Sequence, residues 1–275
     1  MIKLIASDVD GTLIEESKSD MYPEIIEEIH RLTAEGILFC GASGRQLASL
    51  KKVFREVENE ICYIAENGAH IHYKGEDIAL TVMKREYAEG IIHQLRSLGE
   101  GYDIVVSTPN GSLLETQNQN FIDLIQYGYR NQFRIVEDVL AEDEKILKIA
   151  VYHPEDITEL GKKVLIPAWE DKVKTCLAGA YWVDFMDKSV DKGNAIRRIQ
   201  ELFGIDFSET MAFGDNNNDI GLVKAAKYSY AVENARPEVI EAAERTCPPW
   251  QEKGVWQIVR KVSAMSQNRK ELDSV

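Results

Sequence analysis

Four short stretches of the chain carry residues able to do chemistry: Asp8-Val9-Asp10-Gly11, Ser43-Gly44-Arg45, Lys192-Gly193 and Gly214-Asp215-Asn216-Asn217-Asn218-Asp219. Asp8 and Asp10 are separated by one turn residue, so their carboxylates can diverge, one facing a metal and an electrophile and the other a leaving group. An aspartate of ordinary pKa, about 3.9, is ionised at neutral pH and needs no base to act as an oxygen nucleophile. Its obstacle toward a phosphate dianion is like-charge repulsion, and phosphate monoesters are among the slowest biological compounds to hydrolyse.

Relief of that repulsion calls for cations. Mg2+ takes near-octahedral oxygen ligands, and Asp8, the main-chain carbonyl of Asp10 and Asp215 form a candidate set with Asp219 in support. Ser43 and the Gly44 amide open a helix whose unpaired N–H groups suit a phosphoryl oxygen. Lys192, at another helix start, would add a compact positive charge there. Singly, each motif has a plainer reading: Asp-x-Asp-Gly occurs in calcium loops, Ser-Gly-Arg starts helices, a lone lysine is solvated, and an Asn-rich acidic run is a capped turn. Their joint occurrence in this order is what argues for one site.

The elements needed to bring them together are legible in outline. Lys3 to Ser7 is a short buried strand that ends at Asp8, followed by a helix from Pro23 to Glu35 with Ile25, Ile26, Ile29 and Leu32 at helical spacing. Ile37 to Cys40 repeats the strand, and a helix with Leu47, Leu50, Val53, Phe54 and Val57 on one face follows Ser43-Gly44. Ile61 to Ala65 is a third strand, and a hairpin region runs through Thr81. Strand–helix alternation predicts a parallel α/β sheet whose carboxyl ends gather ligands.

Between about Lys84 and Asp187 the rhythm changes. A helix, strands Tyr102–Ser107 and Ser112–Thr116, a helix from about Asn118, strand Leu147–Tyr152, a helix from Pro154, and strands Val173–Leu177 and Trp182–Met186 read as a separate α+β unit. Its helix–strand–strand order occurs twice. Alternation then resumes with a helix ending near Gly204 and strand Thr210–Phe213 leading into Gly214-Asp215. The polar residues from about Ser266 are expected to fray.

Composition narrows the class. The 275 residues are 44% hydrophobic and 28% charged, an ordinary globular balance. With 46 acidic against 32 basic residues the net charge is −14, which excludes nucleic acid and anionic membranes as expected partners. No signal-peptide pattern or membrane-length apolar run is present, and Cys40, Cys62, Cys176 and Cys247 lie far apart without C-x-x-C spacing. A cytoplasmic monomer with reduced thiols is the expectation. His70 and His72 share a strand face but have no third ligand at a suitable spacing, so they read as surface or satisfied core histidines.

On Asp8-Val9-Asp10-Gly11-Thr12-Leu13, Ala42-Ser43-Gly44-Arg45, Lys192-Gly193, Gly214-Asp215 and Asn218-Asp219, the chain resembles the haloacid dehalogenase-like superfamily. Glu66-Asn67-Gly68-Ala69, Asn234-Ala235 and the long insert further resemble its Cof-type phosphatases with a large α/β (C2B-type) cap. The resemblance implies a Rossmann-like catalytic core over 1–82 and 188–275 and a specificity cap over 83–187. It also implies a Mg2+-dependent phosphatase for small phosphorylated metabolites, sugar phosphates above all. In that family's mechanism Asp8 is phosphorylated, Asp10 serves as acid and then base, and Ser43, Gly44, Lys192 and Asn218 hold the phosphoryl group. Asp8, Asp10, Asp215 and Asp219 make up the metal shell. Cys247-Pro248-Pro249-Trp250 departs from the more polar loop of similar proteins and bears on the cap-facing rim. Two alternatives use the same residues: a phosphomutase, and a low-turnover sugar-phosphate-binding regulator.

Overall fold

The structure, a computed structural model, describes residues 1–16, 18 and 20–262. The tail expected to fray from about Ser266 lies outside the described residues.

The first elements are β1 (Leu4–Asp8), α1 (Pro23–Ala34), β2 (Leu38–Ala42), α2 (Leu47–Val53), β3 (Cys62–Ala65), β4 (His70–Tyr73) and β5 (Glu76–Leu80). Next come α3 (Arg85–Arg96), β6 (Asp103–Thr108), β7 (Gly111–Leu114), α4 (Gln119–Asp123), β8 (Phe133–Ile135), β9 (Lys148–Tyr152), α5 (Thr158–Leu160), α6 (Ile166–Trp169), β10 (Lys174–Leu177) and β11 (Trp182–Met186). The chain then forms α7 (Lys192–Phe203), β12 (Thr210–Gly214), α8 (Ile220–Lys224), β13 (Tyr228–Val232), α9 (Pro237–Ala242) and β14 (Arg245–Cys247). The described residues separate into two compact units, one of Met1–Gly44, Leu50–Ile78 and 191–262, the other of Arg45–Ser49 and Ala79–Val190.

The first unit is built on an eight-stranded sheet of order β14-β13-β12-β1-β2-β3-β4-β5. Pairing is parallel from β14 to β3 and antiparallel between β3 and β4. β1 sits between β2 and β12, and its successive residues, which point to opposite faces of the sheet, are all buried; both faces are covered, which is why Leu4, Ile5 and Ala6 are all apolar. The chain departs from β1 toward β2 on one side and returns through β12 on the other, so the strand order reverses beside Asp8. Crevices at such reversals are where open α/β sheets bind ligands. α1 begins with Pro23 in its first turn and turns Ile25, Ile29 and Leu32 inward, all fully buried. Truncating Ile29 to alanine would cost about 2–5 kcal/mol.

The second unit has a six-stranded sheet of order β10-β11-β9-β6-β7-β8, antiparallel except where β7 meets β8. Ile104, Val106, Ile149, Val151, Val183 and Phe185 pack with α3 residues Ile91, Ile92 and Leu95 in its main core. Val105, Leu114 and Ala150 point the other way and pack with Phe121 and Ile125. This alternation is the period-two pattern of strands with both faces covered. Each unit thus combines helices with a sheet, parallel-rich in the first and mostly antiparallel in the second.

Three local expectations are corrected. The apolar face of α2 was expected to run through Val57, but the helix stops at Val53; Phe54 and Val57 stay buried in turns, with the Val57 amide donating to the Phe54 carbonyl at 2.9 Å. The helix expected from Pro154 starts at Thr158, because Asp156 accepts the Thr158 amide at 2.8 Å and turns the chain first. β8 has no counterpart in the sequence reading, since three residues are too few to show a period. Among the described residues no helix is long and apolar enough to cross a membrane.

Candidate active site

β1 ends on Asp8, whose backbone lies opposite Ala42 at the end of β2. A tight turn follows, closed by Leu13 and Ile14 amides donating to the Val9 carbonyl at 2.9 and 3.0 Å and by the Gly11 amide donating to the Ile14 carbonyl at 2.9 Å. Buried Val9, Leu13 and Ile14 anchor it. Gly11 has φ +87° and comes so near Asp215 that a Cβ would lie 2.6 Å from its Oδ2, so glycine is required on both counts. Asp10 is half-buried in this turn, its backbone bridged to Ile14. Buried Thr12 donates its hydroxyl to Asp215 Oδ1 at 3.0 Å, holding the end of β12 against the turn.

α7 delivers Lys192. Asp191 caps the helix by accepting the Gly193 amide at 2.8 Å, and Gly193 lets α7 approach α8 so closely that a Cβ would be 2.2 Å from the Gly221 carbonyl. Fully buried Lys192 donates from Nζ to Asp8 Oδ1 at 2.6 Å and to Asp219 Oδ1 at 2.7 Å. The other oxygen of Asp219 accepts the amides of Asp215 and Asn216, each at 3.0 Å, which fixes the loop after β12. Asp219 is therefore saturated by the protein.

Asp8 is not. Its Oδ2 is buried and has no hydrogen-bond partner among the described residues. Oxygens of Asp8, Asp215 and Asp219 lie within 4.8 Å of one another. Burial first, and then the neighbouring Asp219, push the Asp8 carboxyl well above its ordinary range against the pull of Lys192. Burial and Asp219 likewise raise Asp215. Burial works against the Lys192 charge, yet Asp219 and Asp8 outweigh it and hold the ammonium above its usual range. Three carboxylates around one ammonium leave two negative charges uncompensated when all are ionised. An all-oxygen donor set with an orphaned carboxylate oxygen and that charge excess fits a hard divalent cation.

On the neighbouring strand ends, buried Ser43 donates its amide to the Ile64 carbonyl at 2.8 Å and accepts the Asn67 amide on its own carbonyl at 3.0 Å. Asn67 Oδ1 in turn accepts from Asn218 Nδ2 at 3.0 Å, and the Asn67 amide group lies against Gly44. The geometry thus joins Asp8, Asp215, Asp219 and Lys192 directly, and links Ser43, Gly44 and Asn218 through Asn67. Thr12 and Asn67 have no role in the sequence reading. The available signals were the hydroxyl next to the Asp pair and an asparagine in a Glu66-Asn67-Gly68 turn where Asn67 has φ +57°.

A family model described as haloacid dehalogenase-like hydrolase matches residues 5–259. The chain is 28% identical over 261 residues to a 5-amino-6-(5-phospho-D-ribitylamino)uracil phosphatase of Escherichia coli K12, covering 95% of this chain and 96% of that one. It is 27% identical to a phosphoglycolate phosphatase of Staphylothermus marinus, covering 95% and 98%. A solved structure from Eubacterium rectale superposes with a TM-score of 0.89 at 35% identity, covering 95% of this chain and 99% of the other. Since the family model spans nearly the whole chain, the chain belongs to the haloacid dehalogenase-like hydrolases and is an enzyme of that family.

Proposed function

We propose that the protein is a Mg2+-dependent phosphatase that hydrolyses small phosphorylated metabolites, sugar phosphates among them, through phosphorylated Asp8. The observation that carries the reading is Asp8 itself: one oxygen is held by Lys192 and the other is buried without a partner, next to Asp215. Asp8, Asp215 and the Asp10 carbonyl would hold Mg2+, with Asp219 behind them. Bound there, the ion supplies positive charge against the phosphoryl oxygens and the attacking carboxylate.

The chain's own groups account for each bond change. An Asp8 carboxylate oxygen attacks phosphorus while the bond from phosphorus to the leaving oxygen breaks, and Asp10 gives that alkoxide its proton. Water then attacks the phosphorus on Asp8, gives a proton to the Asp10 carboxylate, and releases inorganic phosphate and free Asp8. Lys192 keeps the Asp8 carboxylate in one orientation and balances charge as the phosphoryl group transfers. Ser43, Gly44 and Asn218 would hold the remaining phosphoryl oxygens. The insert over 83–187 would select the leaving group as a cap. The matched relatives act on a ribitylamino-uracil phosphate and on phosphoglycolate, which makes small phosphate monoesters the class to test.

Phosphate release from an aryl phosphate and a panel of sugar phosphates, with and without Mg2+, tests this. Release should require Mg2+ and fall by more than about a thousandfold in Asp8→Asn. Release without Mg2+, or in Asp8→Asn, would refute it; recovery of a phosphorylated sugar alcohol position in place of inorganic phosphate would make the enzyme a mutase.

A further inference from the structure

His70 and His72 lie on one face of β4, and the structure supplies the third donor that their spacing alone does not. Lys74 and Gly75, with φ +50° and +84°, make the two-residue turn that returns the chain as β5. That turn brings Asp77 across from the histidines. Asp77 Oδ1 lies 2.6 Å from His70 Nε2 and 2.8 Å from His72 Nδ1. The two rings meet edge-on, at an interplanar angle of 89°, so their nitrogens approach the oxygen from different directions.

We propose that His70, His72 and Asp77 form a second metal site, for a borderline transition-metal dication of the zinc type, separate from the aspartate cluster. Two imidazoles and one carboxylate suit zinc, whereas Mg2+ and Ca2+ prefer oxygen alone. Ligand atoms around a tetrahedral zinc with bonds of about 2.0–2.1 Å stand about 3.3 Å apart, so the two Asp77–histidine contacts, now 2.6 and 2.8 Å, would lengthen by about 0.5–0.7 Å on binding. The scaffold favours this over a larger rearrangement. His70 and His72 are fixed in register opposite Ala65 and Tyr63 of β3, and their side chains are only 2% and 10% exposed. The Asp77 side chain is 37% exposed, which leaves a route for the ion and room for water to complete its coordination. In the metal-free form the Asp77 carboxylate accepts from His72 Nδ1–H, so a metal on Nδ1 takes the place of that proton, while Nε2 has no hydrogen-bond partner among the described residues. The chain's acidity attracts cations generally.

The inference is independent of the phosphatase reading, and its test reads the metal rather than turnover. Chelator-treated full-length protein in excess Mg2+ is titrated with Co2+ while visible absorption is recorded. Nitrogen-ligated four- or five-coordinate cobalt gives strong bands, whereas octahedral oxygen coordination gives weak ones. One equivalent of strong bands, displaced by Zn2+ and weakened at least about tenfold in apparent affinity by Asp77→Asn and by His70→Gln, is the expected result. Asp77→Asn keeps the side chain's size and an acceptor oxygen, so it serves if the histidine variant does not fold. Absence of strong bands in the unmodified protein, or bands unchanged in Asp77→Asn, overturns the proposal.

Discussion

Two groups of three donors, each within 4.8 Å, stand on the same sheet and differ in what they lack. At the ends of β1 and β12, Asp8, Asp215 and Asp219 crowd like charges around one lysine and leave a buried oxygen of Asp8 unpartnered. On β4 and β5, Asp77 alone carries negative charge and two histidine nitrogens already contact it; although partial burial pulls the other way, those contacts hold its carboxyl below the usual range. The first group carries an excess of negative charge around a single ammonium, whereas the one carboxylate of the second already has two histidine partners. A site under such tension is built to engage a charged partner, whereas a satisfied site tolerates a metal without depending on it.

The strongest way to break this contrast is to remove Lys192. Lys192→Met leaves Asp8 and Asp219 buried together, and unfolding in urea at neutral pH should give a loss of about 3–5 kcal/mol. A change under about 1 kcal/mol would mean that the carboxylates are not ionised together. Next comes Asp8→Asn. Because burial and Asp219 raise the Asp8 carboxyl in the fold, the folded form binds its proton more tightly than the unfolded chain does. That contribution is lost as pH climbs from about 4, the unfolded value, through the folded one. Metal-free Asp8→Asn should therefore melt higher than the unmodified protein at pH 7.5 and differ less at pH 5. Added Mg2+ should raise the melting temperature of the unmodified protein more than that of the variant; equal shifts would place Mg2+ elsewhere.

Asn67→Ala probes the bond that holds Asn218. Loss of one such hydrogen bond, about 0.5–1.5 kcal/mol, should appear as a three- to tenfold rise in KM with a smaller change in kcat. A dominant effect on kcat would instead make Asn67 part of the reacting centre. The smallest effect belongs to the satisfied group. Metal-free Asp77→Asn should lose under about 1 kcal/mol in the same urea assay, since the Asp77 side chain is partly solvated and asparagine keeps an acceptor oxygen for the histidines.

The contrast also marks how far sequence carries. β1, β2 and β3 are legible because strands of a parallel sheet buried on both faces are largely apolar, and Asp8, Asp215 and Lys192 are legible because their motifs occur together, in order, at strand ends and a helix start. Val57 misleads because a buried turn keeps the apolar period after the helix has stopped. The partners of Asp77 and Thr12 are illegible for a different reason: they are set by cross-strand pairing and by contact between distant segments, 203 residues apart for Thr12 and Asp215. No local pattern records such contacts.

The central claim is that phosphorus passes through Asp8, and the most direct measurement is to quench the enzyme in acid while it turns over a radiolabelled phosphate ester. Label bound to the protein, released by hydroxylamine as an acyl phosphate and absent from Asp8→Asn, is the predicted result. Phosphate release without any protein-bound label, at a rate unchanged in Asp8→Asn, would contradict it.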